Sequence, residues 1–333
     1  IVQGLTEVLP VSSRGHIEIL KEILGLSFEA QNGLFFTLML HLATAFSALI
    51  YFWDDVKNIL ELPGSEIKEM SKRIAKNFEK AKDDFENLLN SKKSLRIKLG
   101  VDPTAPDVTL GWYAILRALR KFQEHGHTAV LILGEFTAQV GDPSGKSETR
   151  SKLESDEINK NSKGVLPIIE NILLKDNLEI VSNNDWLSKL SSSELVNLSS
   201  STTLAQMLER EDFSSRYSSN SPISLMEFFY PLFQGYDSVA VKADIEIGGN
   251  DQLWNLMLGR EVQKFYSMHP QIAMTFPLLI GTDGKKKMSQ SLNNYISITD
   301  TPENIYGKIM SIPDEIMWEY FTCLLYTSPS PRD

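Results

Sequence analysis

The chain has 333 residues, a net charge of −10 and 42% hydrophobic content, enough for one large or two ordinary folded domains. The acid excess excludes a broadly basic nucleic-acid wrapper, though not a local basic patch. The single cysteine, Cys323, excludes an internal disulfide and a Cys-rich metal site. The histidines form no ligand pattern: His125 and His127 flank Gly126 at a helix end and read as a solvated turn rather than a metal site.

Gly33 to Trp53 contains no Asp, Glu, Lys or Arg and is long enough to cross a bilayer as one helix, with Phe52-Trp53 before Asp54-Asp55 suiting an interface edge. A buried helix of a soluble protein is the alternative; a signal peptide is excluded by the missing basic start and cleavage site. From Ser65 to Ser91 charges dominate, while Ile74, Phe78, Phe85 and Leu88-Leu89 keep helical spacing, which predicts a solvated helical lead-in over 61–92. Pro63-Gly64 marks a break, and the seam between two pieces falls between Asp55 and Glu69. Leu95, Ile97, Leu99 and Val101 alternate with Arg96, Lys98 and Gly100, a strand pattern. A helix follows on Trp112, Ile115-Leu116, Leu119 and Phe122, closed by Gly126, and Ala129 to Gly134 reads as a buried strand. Strand, helix and strand in this order predict an α/β fold with a doubly wound parallel sheet, preceded by the hydrophobic membrane-helix fragment. Residues 324–333 turn Ser/Pro-rich and predict a disordered tail resembling translated adapter sequence, with a natural Ser/Pro tail as the alternative.

Residues 1–60 carry Gln3-Gly4-Leu5-Thr6-Glu7 and Ser12-Ser13-Arg14-Gly15-His16, then Leu40-His41-Leu42-Ala43-Thr44. This resembles the start of undecaprenyl-diphosphate phosphatase, a membrane enzyme. The resemblance implies that Gln3, Glu7, Ser13 and His16 belong to its active site, a carboxylate and a histidine making acid–base partners beside a diphosphate. Arg14 departs from the small residue usual there, and the family's later Pro-Gly-x-Ser-Arg motif is absent. The expectation is an inactive, truncated fragment.

Two runs carry the chemistry of the rest: Asp102-Pro103-Thr104-Ala105-Pro106-Asp107-Val108-Thr109-Leu110-Gly111-Trp112, opening a helix after a strand, and the polar loop Lys287-Met288-Ser289-Gln290-Ser291. A helix N-terminus at a strand's carboxyl end suits a phosphate, and Gly111 permits close backbone approach. Between them stand Gly141-Asp142-Pro143-Ser144-Gly145-Lys146-Ser147, Tyr230-Pro231-Leu232-Phe233-Gln234-Gly235-Tyr236-Asp237 and Ile247-Gly248-Gly249-Asn250-Asp251-Gln252. These blocks resemble tyrosyl-tRNA synthetase, a class I aminoacyl-tRNA synthetase, over about 93–323. The resemblance implies a nucleotide-binding catalytic domain at 93–285 and, over 286–323, the Lys287 loop with the start of connecting helices. It implies attack of the tyrosine carboxylate on the α-phosphate of ATP, with Mg²⁺ on the phosphates, then transfer to tRNA(Tyr). Tyrosine would be held by Lys98, Gly100, Asp142, Tyr230, Gln234, Asp237, Glu246 and Gln252, with Asp237 accepting the phenolic hydroxyl and Asp142, Gln252 and Tyr230 at the ammonium end. ATP would be surrounded by Asp102, Gly111, Trp112, Gly249, Asp251, Gln290 and Ser291, with Thr104, Thr109, Lys287 and Ser289 catalytic. A cytoplasmic homodimer is implied, with weak tRNA binding because the anticodon-reading region is missing, and membrane association only through the N-terminal fragment.

The family pattern fails at several points. Thr109-Leu110-Gly111-Trp112 replaces His-x-Gly-His, Gln290 replaces a second lysine, Lys98 replaces a tyrosine and Glu246 a glutamine. Losing one charged donor from a transition-state clamp costs roughly 3 kcal/mol, which bears on rate more than on reaction type. A P-loop at Gly141 to Ser147 fails on spacing, its first glycine one residue too close, so Lys146 is expected to face solvent. The remaining rivals are the membrane phosphatase and a non-catalytic tyrosine- or RNA-binding relative.

Overall fold

A computed structural model describes residues 80–91, 94–143 and 153–325. The span 33–53, the phosphatase-like Gln3, Glu7, Ser13 and His16, Lys146, and the tail from 326 lie outside these residues. The chain divides into two units between Glu86 and Asn87, and the sheet fold belongs to the second. Residues 80–91 are helical and mostly exposed. No helix among the described residues is long and apolar enough to cross a membrane.

Five parallel strands form one sheet: β1 (Arg96–Val101), β2 (Thr128–Leu133), β3 (Leu178–Ser182), β4 (Ile245–Gly249) and β5 (Ile272–Phe276), in the order β3-β2-β1-β4-β5. The order reverses between β1 and β4, the switch point where doubly wound sheets open a crevice at the strands' carboxyl ends. Helix α1 (Leu110–Glu124) follows β1, with Thr109 as N-cap accepting from the Trp112 backbone N–H and Gly126 at φ +83° beyond the end. After β2 come α2 (Thr137–Val140) and α3 (Ser155–Ile172), and after β3 the helices α4 (Asn184–Leu187), α5 (Ser192–Ser199), α6 (Leu204–Met207) and α7 (Glu211–Ser218). Helix α8 (Leu225–Ala240) leads into β4, and α9 (Leu253–Phe265) runs from β4 to β5. Helices α10 (Pro302–Met310) and α11 (Met317–Leu325) close the described chain.

Two sequence expectations change in the folded chain. The β1 alternation placed Lys98 among the polar positions, yet Lys98 is fully buried, because helices cover both faces of a parallel sheet and Glu246 neutralises it there. His127 was expected in a solvated turn, yet it is 9% exposed and its Nδ1 accepts from the Leu95 N–H at 3.4 Å. His125 is exposed, as expected.

Helix α8 serves two environments. Phe228, Phe229, Leu232 and Phe233 pack into a core with Leu187, Leu198, Met207, Leu258 and Val262, while Tyr230, Gln234 and Asp237 line the crevice. Gly235 allows α8 to cross α9 closely: a Cβ there would lie 2.9 Å from Val262 Cγ2 and 3.3 Å from Gly259 Cα. Gly235→Ala gains about 1 kcal/mol of helix propensity but overpacks this crossing at a cost of about 1–3 kcal/mol, so a net loss of about 1 kcal/mol is expected in urea denaturation. Unchanged or higher stability would show that the two helices separate freely.

Candidate active site

A cavity of about 670 Å³ opens at the carboxyl ends of β1 and β4. Every tyrosine-binding, ATP-binding and catalytic candidate between Lys98 and Ser291 lines it, so residues separated by most of the domain's length meet in one place. The cavity has two electrically different ends.

The inner end is acidic. Asp237 is 4% exposed, and its two oxygens accept from Trp186 Nε1 at 2.8 Å and Asn183 Nδ2 at 3.3 Å. Burial raises this carboxyl to about 6, against the pull of Lys98, Trp186 and Asn183. Asn183 also donates to Thr137 Oγ1 at 3.0 Å, and Thr137 donates to Asp102 Oδ1 at 2.8 Å. Tyr230 donates its hydroxyl to Asp102 Oδ2 at 2.9 Å. Burial and the neighbouring carboxylates push the Tyr230 phenol far above its ordinary range, so it remains a donor. Burial and the nearby Asp142 charge raise Asp102 to about 7. Gln252 Nε2 bonds Asp142 Oδ2 at 3.0 Å, joining the pair expected at an ammonium group. The Asp102 carboxylate, expected with the nucleotide, accepts from Tyr230 and Thr137 and lines the same cavity. Gly134 leaves room for it, since a Cβ there would collide with Asp102 Oδ1.

Lys98 is the buried cation of this end. Its Nζ bonds the Gln234 carbonyl oxygen at 2.7 Å, Ser238 Oγ at 2.7 Å and Glu246 Oε1 at 3.0 Å. Gly100 offers open space, with nothing within 4 Å of a Cβ placed there.

The outer end is basic and built by the two motifs. Residues 107–110 run beside 296–298: Leu110 N–H donates to Ile296 O at 2.9 Å and Ile298 N–H to Val108 O at 3.1 Å. Asp107 Oδ1 accepts from Ser297 Oγ at 2.7 Å, and its carbonyl accepts from Gln290 Nε2 at 2.6 Å. Gln290 thus bridges the loop to the first motif. Met288 anchors the loop in a small core with Leu279, Ile296, Ile316, Tyr320 and Cys323. Lys287 Nζ meets Asp251 Oδ2 at 2.6 Å, and Ser289 and Ser291 share a hydrogen bond of 2.9 Å. A Cβ at Gly111 would make only ordinary contacts, 3.5 Å to Leu279 Cβ, so protein crowding does not demand glycine there. Gly249 differs, since a Cβ there would lie 2.6 Å from Leu278 and 2.7 Å from Asp251. Thr104 and Trp112 line the cavity.

Sequence reasoning missed Thr137, Asn183, Trp186 and Ser238. Thr137, Asn183 and Trp186 stand outside the motif blocks, and only folding brings them beside Asp237 and Asp102; Ser238 directly follows the Tyr230–Asp237 block and meets Lys98 one helical turn from Gln234.

A parallel sheet with a helix N-terminus and a lysine loop at its switch point defines a class I nucleotide-binding fold. The sequence profile described as tRNA synthetases class I (W and Y) matches residues 90–330. The chain belongs to this class I tryptophan and tyrosine tRNA synthetase family. Its relatives include the tyrosine–tRNA ligase of Carboxydothermus hydrogenoformans, 48% identical over 81% of this chain and 65% of that protein. The tyrosine–tRNA ligase of Coxiella burnetii is 50% identical over 73% of this chain and 61% of that protein. The chain therefore spans less than two thirds of these curated relatives. The same fold occurs in the crystal structure of Archaeoglobus fulgidus tyrosyl-tRNA synthetase complexed with L-tyrosine, at TM-score 0.60 and 23% identity, covering 74% of this chain and 76% of that one. A second profile, bacitracin resistance protein BacA, matches residues 1–93. The synthetase match extends to residue 330, into the tail that the sequence reading set apart.

The raised carboxyls have a consequence for stability. A carboxyl whose folded pKa lies above its ordinary 3.8 stabilises the fold fully below that pH, and loses the contribution as pH rises through about 6 for Asp237 and about 7 for Asp102. Asp102→Asn should therefore leave stability at pH 4 near that of the parent and raise it at pH 8 by up to roughly 4 kcal/mol, one pKa unit being worth about 1.4 kcal/mol. Urea denaturation of both proteins at the two pH values measures the difference, and a variant weaker than its parent at pH 8 would contradict it.

Proposed function

We propose that the synthetase part of this chain activates tyrosine with ATP, forming tyrosyl-adenylate and pyrophosphate, and transfers the tyrosyl group to tRNA(Tyr). One observation carries the reading: a single cavity joins a buried carboxylate, Asp237, to a lysine loop and a helix N-terminus. The acidic end suits an amino acid with a phenol and an ammonium group. Asp237 retains acceptor capacity for the phenolic hydroxyl beside Trp186 and Asn183. Asp142, Gln252 and Tyr230 form the ammonium end, and the Tyr230 bond brings Asp102 beside it.

The basic end suits a triphosphate. The α1 N-terminus and Gly111 admit the nucleotide, and Thr109, Trp112, Gly249 and Asp251 surround it. Lys287, Ser289 and Ser291 meet the leaving pyrophosphate, with Thr104 and Gln290 beside them. Lys287 must exchange its Asp251 partner for phosphate oxygens, which makes nucleotide binding and loop placement one event. Among the described residues no three His, Cys, Asp or Glu side chains gather as a metal-ligand set, so Mg²⁺ fits as an ion carried on the phosphates, where it would neutralise their charge. The tyrosine carboxylate then attacks the α-phosphate in line with the departing pyrophosphate. The protein forms no covalent bond and acts by positioning and charge stabilisation.

On this reading the protein works in the cytoplasm as a homodimer. Membrane attachment would involve only residues 33–53. The test is tyrosine-dependent ATP–pyrophosphate exchange. Exchange should occur with tyrosine and not phenylalanine, because a site built to bond a hydroxyl leaves buried groups unpaired when it is absent. Asp237→Asn should cut kcat/KM for tyrosine by roughly 100-fold, the scale of losing a hydrogen bond to a charged group, and narrow the preference over phenylalanine. Tyrosine binding without exchange would favour the non-catalytic reading.

Gln290→Lys supplies the second lysine usual in the family. It should speed exchange by roughly 10–100-fold, within the range for one transition-state donor. An unchanged rate would show that the Gln290–Asp107 bridge already does the work of that lysine.

A further inference from the structure

Lys98 and Glu246 face each other directly in the β1–β4 pairing, and their side chains are 0% and 2% exposed. An ammonium group has three hydrogens, and Gln234 O, Ser238 Oγ and Glu246 Oε1 take all three. Lys98 therefore has no donor left for a ligand, although the residue usual at its place contacts substrate. Glu246 gathers four donors: Lys98 Nζ, Gln234 Nε2 at 3.1 Å, Ser238 Oγ at 3.1 Å and Gln271 Nε2.

An ionised carboxylate only accepts. Both glutamines must turn their NH₂ groups towards it, and both Oε1 atoms are left buried without a partner. Gln234 is a wall residue of the cavity; Gln271 is not. A glutamine at 246 could present either its oxygen or its NH₂, and would leave the Gln234 amide free to turn over.

We propose that Lys98 and Glu246 act as a positioning pair that fixes the amide of Gln234 in one orientation, setting its Oε1 as an acceptor for an N–H or O–H donor of the ligand. The ligand's identity as tyrosine rests on the function proposed above; the fixed amide does not. Lys98 supplies the opposing charge directly across the β1–β4 pairing, so that neither buried group is stranded without a partner. Ser238 closes the ring, accepting from Lys98 and donating to Glu246.

The test uses the full chain with Glu246→Gln and with the double substitution Lys98→Met and Glu246→Gln, which leaves no buried charge unpaired. Side-chain amide NMR follows hydrogen exchange of the Gln234 NH₂ group, assigned by its disappearance in Gln234→Met. Calorimetric titration with tyrosine, and separately with ATP, follows binding. The expected result is at least about tenfold faster exchange of that amide with unchanged backbone protection in α8, about 10–100-fold weaker tyrosine binding, and ATP binding altered less than about threefold. Slow Gln234 exchange in both variants overturns the proposal. So does faster exchange that spreads through the α8 backbone in both, which marks the pair as a strut of the fold alone. So does tyrosine binding as tight in the double variant as in the parent. If the parent binds no tyrosine while its Gln234 amide is protected and is released in the variants, the positioning pair is upheld and the tyrosine reading fails.

Discussion

The structure depends on keeping carboxylates at the open end of a parallel sheet. Asp102, Asp237 and Glu246 converge there, and buried charges of one sign repel and lose hydration. Lys98 supplies the opposing charge and pairs with Glu246 across β1 and β4. The other two carboxylates are satisfied by neutral donors, Asp237 by Trp186 and Asn183, and Asp102 by Thr137 and Tyr230. Asn183 ties them together, bonding both Asp237 and Thr137. Each carboxylate is held by hydrogen bonds that fix its direction, which is what discriminating one polar ligand from another requires. The incomplete compensation shows in the raised Asp102 and Asp237 carboxyls.

The other end follows the opposite logic. Its lysines are partly exposed, and Lys287 rests on Asp251 rather than in a buried site. An exposed ion pair of this kind contributes little, so exchanging it for a polyphosphate is easy. The loop's position comes from elsewhere: Met288 lies in an apolar cluster, Ser289 N–H bonds Asn294 Oδ1 at 2.9 Å, and Gln290 holds the Asp107 carbonyl. Anchoring by packing and backbone contacts leaves the charged groups free for a ligand.

Strands β1 and β2 were legible because they are apolar and the helix between them has an N-cap and a glycine stop, all local features; β3, β4 and β5 were not read individually. The cavity was legible because its residues fall in contiguous blocks such as Tyr230 to Asp237. Helical spacing then separates Phe228, Phe229 and Phe233 for the core from Tyr230, Gln234 and Asp237 for the cavity. The supporting residues were not legible. Thr137 lies beyond β2, and Asn183 and Trp186 lie beyond β3; nothing in their neighbourhoods marks them, since their partners are tens of residues away. His127 was misread for the same reason, its ring nitrogen being engaged by the Leu95 N–H 32 residues away.

The departures from the family pattern carry a second lesson. Lys98 and Glu246 depart together, and the structure makes them partners; a lysine alone or a glutamate alone at that depth would be a stranded charge. Thr109 and Trp112 also depart together, and Thr109 caps the helix by bonding the Trp112 N–H. Gln290 departs opposite Asp107, whose carbonyl it holds. A site losing its purpose would accumulate unmatched polar groups, because nothing would oppose them. Here Lys98, Glu246, Thr109 and Gln290 each make a side-chain contact within the site, and the cavity between them stays open. The altered positions thus place neutral side chains, Thr109 and Gln290, at the outer end of the cavity and the buried ion pair, Lys98 with Glu246, at the inner end.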